Sequence, residues 1–98
     1  MKRRQLEDYY GGADGDEAWH EHVELARTTW IGSPCQEALL RKLNGQLDLA
    51  FVIHAKLGEH SLEWLESRVP ALSGRKPINC LGTKNLVLRL REALMRMD

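Results

Sequence analysis

An all-α fold, a small bundle of five or six short helices, is what this sequence predicts, on three observations. Apolar residues recur at three- and four-residue spacings in successive segments, no segment sustains the alternation of a half-buried strand, and the β-branched residues are few and scattered. With 98 residues the chain can bury one modest core, without room for a catalytic and a regulatory domain together. A hydrophobic share of 43% against 29% charged is that of a folding chain.

The elements follow in order. Residues 1–15 hold a basic cluster (Lys2, Arg3, Arg4), two tyrosines and three glycines, a composition that predicts a mobile N-terminal arm before a single helical domain over 16–98. Trp19, Val23, Ala26 and Trp30 share one helical face, so a first helix is expected at about 17–29 with Asp16 as its N-cap. Gly32 ends that region. Ser33, Pro34 and Gln36 then supply a capping hydroxyl, a proline at the first helical position and a reciprocal cap, opening a second helix. It should turn Leu39, Leu40 and Leu43 inward and stop near Asn44 and Gly45.

A third helix, about 46–57, carries Leu47, Ala50, Phe51, His54 and Leu57 on one stripe before Gly58, either separate from the second or joined to it in one bent helix. A short fourth, about 60–67, holds Leu62, Trp64 and Leu65 and is limited by Pro70. Pro70, Gly74 and Pro77 frame a structured loop, and Pro77 opens a turn through Ile78 and Leu81 that Gly82 breaks. A last helix, about 84–96, is capped by Thr83 and aligns Leu86, Leu90, Leu94 and Met97, with Val87 and Ala93 beside them.

Charge narrows the partner. Fourteen basic and fourteen acidic side chains cancel, so no global field favours a polyanion. Residues 1–60 carry seven basic and ten acidic side chains, whereas residues 61–98 carry seven basic and four acidic. That contrast suits a protein partner at least as well as nucleic acid. Cys35 and Cys80 form no CxxC motif, the start has no apolar run behind its basic residues, and nowhere do about 18 apolar residues follow one another. A reducing, cytoplasmic setting without a membrane span is expected.

Chemistry is sparse. His20 and His22 lie about 200° apart on a helix and cannot chelate one ion together. His54 sits on an apolar stripe and reads as a packed or capping residue, while His60 has no nucleophile motif around it. Ser73, Gly74, Arg75 and Lys76 lack the spaced glycines and the Lys-Ser/Thr pair of a phosphate loop. The helix, Gly32, helix arrangement between Ala26 and Leu40 echoes a helix-turn-helix, but its second helix mixes Gln36, Glu37, Arg41 and Lys42 in place of a basic reading face. No enzymatic activity, cofactor or metal is expected.

One stretch is more specific. Trp64, Leu65, Pro70, Leu72, Gly74, Pro77 and Leu81 stand at the spacings W-L-x(4)-P-x-L-x-G-x-x-P-x-x-x-L. Residues 46–98 thereby resemble the toxin-binding domain of the Xre/MbcA/ParS-type antitoxins. The resemblance implies a non-enzymatic bacterial protein of a toxin–antitoxin system that neutralises a cognate toxin, often a RES-type NAD-consuming or ADP-ribosylating enzyme, by covering the entrance to its active site. Leu86 departs from the family, which commonly has a small residue there, and residues 1–45 show no clear match to the family's DNA-binding half. Trp64, Leu65, Pro70, Leu72, Pro77 and Leu81 are expected as structural anchors. Gly74, Arg75 and Lys76, with Arg89 and Arg96 on one side of the last helix, are expected to face the toxin. A DNA-binding regulator using residues 1–45, an orphan helical scaffold and a homodimer stay open as alternatives.

Overall fold

The computed structural model describes residues 6–97 and is all-α, as the sequence predicts. Its helices are α1 (Ala13–Arg27), α2 (Pro34–Lys42), α3 (Leu47–Leu57), α4 (Ser61–Leu65) and α5 (Lys84–Met95), joined by 3₁₀ turns at Leu6–Tyr9, Gly58–His60, Pro70–Leu72 and Pro77–Cys80. There is no strand among the described residues, only an isolated antiparallel bridge between Val69 and Arg75. No described helix is long and apolar enough to cross a membrane.

The centre is α3, whose sequence LDLAFVIHAKL is apolar on nearly every side. Such a helix is stable only when other elements surround it, and α1, α2, α4 and α5 all pack on it. Leu49, Ala50, Val52 and Ile53 are wholly or almost wholly buried there. Burying a valine or isoleucine contributes about 1.5–3 kcal/mol, which outweighs the few tenths that a β-branched residue costs a helix. The stripe read from the sequence needs correction at its start: Leu47 is an exposed residue, and the Leu49, Val52 and Ile53 side takes its place. Asn44 and Gly45, both at positive φ (57° and 80°), separate α2 from α3, so the two are not one bent helix.

α2 opens as its sequence requires. Ser33 Oγ accepts from the Gln36 amide at 3.2 Å, and Gln36 Oε1 accepts in return from the Ser33 amide at 2.9 Å. Gln36 is itself buried, and its Oε1 also accepts from the Ile31 amide (3.0 Å) while its Nε2 lies 3.2 Å from His54 Nδ1. His54 meets the edge of Trp30 and is thus packed between α2 and the end of the α1 segment.

The N-terminal region departs from expectation. Residues 6–15 do not form a loose arm: Leu6–Tyr9 is a 3₁₀ turn against α5, Tyr10 is buried, and α1 begins at Ala13. Residues 1–5, with the Lys2, Arg3 and Arg4 cluster, lie outside the described residues. The physical reason lies in the glycines. Gly11 and Gly12 take positive φ (77° and 55°) to turn the chain into α1, and Gly15 lets Tyr10 lie on the first turn, where a Cβ would fall on the Tyr10 carbonyl oxygen. Asp16 is therefore inside α1 and not its cap. Its carboxylate accepts from Tyr10 Oη at 2.7 Å and lies 3.6 Å from Arg91.

Trp19, Val23 and Ala26 form the buried face of α1, and Trp19 Nε1 donates to Asp48 of α3 at 3.1 Å. α5 closes the core with Leu90, Ala93 and Leu94. Thr83 stands at its N-cap position without a side-chain capping bond.

Candidate partner-binding surface

The proline-framed loop is built by backbone geometry. Val69 donates to the Arg75 carbonyl (3.1 Å), Gly74 to Val69 (3.0 Å) and Arg75 to Leu72 (3.1 Å), with Ser73 and Gly74 in left-handed conformations at φ 58° and 77°. Leu72 plugs the loop into the core and the following Pro77 is buried. With the amides of Val69, Leu72, Ser73, Gly74 and Arg75 bonded within the loop and two prolines fixing φ, the loop has little entropy to lose on binding.

What it presents is cationic. Arg75 is exposed, Arg68 is exposed and reaches the Gly74 carbonyl at 3.5 Å, and Lys76 sits 4.0 Å from Glu66 with the side chains 40% and 50% exposed. An ion pair so exposed contributes little. Just before the loop, Leu57, His60, Glu63, Trp64 and Ser67 line an open depression of about 220 Å³.

Several expected roles change. Leu65, Leu72 and Pro77 are buried anchors, but Trp64 and Leu81 are only half-buried and Pro70 is exposed. The tryptophan that fills the core is Trp19, 4% exposed. Trp64 lies on α4 beside the buried Leu65, packs against the edge of the core and helps to line the depression.

Arg89 is not free for a partner. It donates through Nε and Nη2 to the two oxygens of Glu7, at 2.8 and 2.9 Å, and the side chains are only 11% and 14% exposed. The bidentate bond from Arg89 holds the Glu7 carboxyl below its ordinary range against the opposing effect of burial, and Glu7 in turn raises Arg89. Arg96 bonds to Glu92 at 2.8 Å and lies 5.0 Å over the Tyr9 ring. The pair does lie on one side of α5, as its seven-residue spacing predicts, but the N-terminal turn covers Arg89 there, while Arg96 stays about half exposed beside Tyr9. Gly74, Arg75 and Lys76 thus stand on the loop, whereas Arg89 and Arg96 are paired with Glu7 and Glu92.

Sequence reasoning missed Arg91, the joint of the fold. It donates to Tyr10 Oη (2.9 Å) and to Asp48 (3.4 Å) and lies 5.3 Å from the Trp19 ring centre, so it links the N-terminal segment, α1 and α3 to α5. Burial raises the Tyr10 phenol, with Asp16 adding to the shift. The only advance signal was that Arg91 lies about 200° from Arg89 on a helix.

The remaining chemistry-bearing groups stay apart. His20 is exposed and His22 Nδ1 lies 2.9 Å from the Ala18 carbonyl oxygen. Among the described residues no three histidine, cysteine or acidic side chains are grouped to hold a metal. Cys35 and Cys80 are free thiols, and burial pushes that of Cys80 upward, away from the reactive thiolate. No protein-family model matches the chain, and no curated protein or solved structure matches it.

Proposed function

We propose that this chain is a non-catalytic, antitoxin-like domain that captures a toxin protein, of the RES-type NAD-consuming or ADP-ribosylating class that the sequence resemblance implies. The observation that carries the reading is the pre-formed loop over 69–77, which holds Arg75 in solvent on a backbone already ordered by its own hydrogen bonds. Arginine on a rigid frame is well suited to an interface hot spot. The half-buried Trp64 and its depression lie immediately before the loop and offer an adjoining apolar contact.

The test is capture of a purified RES-type toxin, with inhibition of its NAD consumption as readout. Arg75→Glu should weaken capture while leaving the helical circular-dichroism spectrum unchanged, because Arg75 is exposed and its bonds to the fold are made by its backbone. Arg89→Glu is unsuitable as a surface test, since it would set two carboxylates against each other at the Glu7 contact.

A further inference from the structure

We propose that the outer side of α5 is a docking site for a short acidic-aromatic peptide segment, and that the chain's own Leu6–Tyr9 turn is a detachable resident occupant which such a segment displaces. This does not rest on the toxin-binding reading, which concerns the loop over 69–77.

The resident segment displays the chemistry the site accepts. Glu7 takes both parallel N–H bonds of Arg89, and the Tyr9 ring lies under the Arg96 guanidinium at 5.0 Å. Leu6 adds a half-buried apolar contact. A carboxylate followed two residues later by an aromatic ring, with an apolar residue in front, therefore fits the arginines one after the other.

The same segment is built to leave. None of Leu6 to Tyr9 is buried, and Tyr9 is 49% exposed. The next residue is different: Tyr10 is 3% exposed, lies on Gly15, and is bonded through its hydroxyl to Asp16 and Arg91. Tyr10 is thus a fixed pivot, and opening the four residues before it costs the Leu6 contact with the edge of the core and the Glu7–Arg89 bonds while the buried residues keep their places. Opening would uncover Arg89, whose low exposure is owed in part to its bond with Glu7. A site closed by its own ligand binds an outside segment more weakly in proportion to the fraction of time it is open.

The experiment titrates the full chain with a blocked peptide of residues 6–12 (Leu-Glu-Asp-Tyr-Tyr-Gly-Gly), read by amide chemical shifts. Glu7→Gln should bind it at least tenfold more tightly than wild type, with shifts at Arg89 and Arg96, and Glu7→Gln combined with Arg89→Gln should lose that binding. Equal affinity of wild type and Glu7→Gln, or shifts elsewhere, would overturn the proposal. So would a wild-type dimer that Glu7→Gln abolishes, because the segment would then be exchanged between two copies. A measurement on wild type alone guards against a variant that fails to fold. The Tyr10 amide, bonded to the Glu7 carbonyl at 3.3 Å, should exchange with solvent at least a hundredfold faster than the α3 amides of Val52 and Ile53. Exchange of the Tyr10 amide only at the rate of global unfolding would also overturn it.

Discussion

Replacing Gln36 by leucine removes the polar joint between the α1–α2 connection and α3 while keeping the side-chain volume nearly constant. Two well-formed bonds go: Oε1 no longer accepts from the amides of Ser33 (2.9 Å) and Ile31 (3.0 Å). Two longer contacts also go, from Nε2 to the Thr29 carbonyl (3.4 Å) and to His54 (3.2 Å). A typical bond contributes about 1 kcal/mol net, and a donor left buried without a partner costs about 1–3 kcal/mol. Ile31 is 84% exposed, so its amide can regain water, whereas Ser33 is half-buried. The expected destabilisation is about 2–3 kcal/mol, or about 10–20 °C in Tm for a domain of this size. Ser33→Ala removes one capping bond and should cost about 1 kcal/mol. Thermal and urea unfolding followed by circular dichroism measure both, and amide exchange at Ser33 should accelerate in Gln36→Leu. A Gln36→Leu variant no less stable than Ser33→Ala would refute the reasoning, because the joint would then contribute nothing beyond the helix cap.

Trp19→Ala should cost about 3–5 kcal/mol and Trp64→Ala only about 1–2 kcal/mol; the reverse order in urea unfolding would place the core anchor at the wrong tryptophan. Gly15→Ala tests the seat of Tyr10: helix propensity alone favours alanine by about 1 kcal/mol, but the new Cβ would meet the Tyr10 carbonyl, so a net loss of about 1–3 kcal/mol is expected in the same assay. The Glu7 carboxyl is depressed in the folded chain, so its contribution to stability is complete above the ordinary glutamate pKa of about 4.3 and is lost as pH falls through the lower folded value. Glu7→Gln should accordingly flatten part of the stability decline below about pH 5, measured by urea midpoints across pH.

What could be read in advance was local. Ser33, Pro34 and Gln36 act within four residues of one another, and the Trp19, Val23 and Ala26 face is set by helical spacing alone, so sequence sufficed for both. The N-terminal segment misled because three glycines and two tyrosines resemble a tail by composition, whereas here the glycines shape a turn around a buried Tyr10. Arg89 and Glu7 are 82 residues apart, and Arg91 and Asp48 are 43 apart. No local pattern links such partners; only the packing of α5 against the N-terminal turn, and of α5 against α3, brings them together. Trp64 and Trp19 were likewise indistinguishable by residue type. Their burial depends on what packs over α4 and α1, which helical spacing does not contain. The loop over 69–77 was legible because prolines and glycine constrain the backbone themselves, and its Arg75 is exposed while Arg89 is engaged.

The most direct measurement of the proposed function is inhibition of NAD consumption by a RES-type toxin, titrated with wild-type chain, with Arg75→Glu and with Lys84→Glu, whose exposed site lies at the start of α5 outside the loop. Wild type and Lys84→Glu should inhibit alike, and Arg75→Glu should need at least about tenfold more protein, equivalent to about 1.4 kcal/mol of lost binding. An absence of inhibition by wild type, or equal potency of Arg75→Glu, would contradict the account.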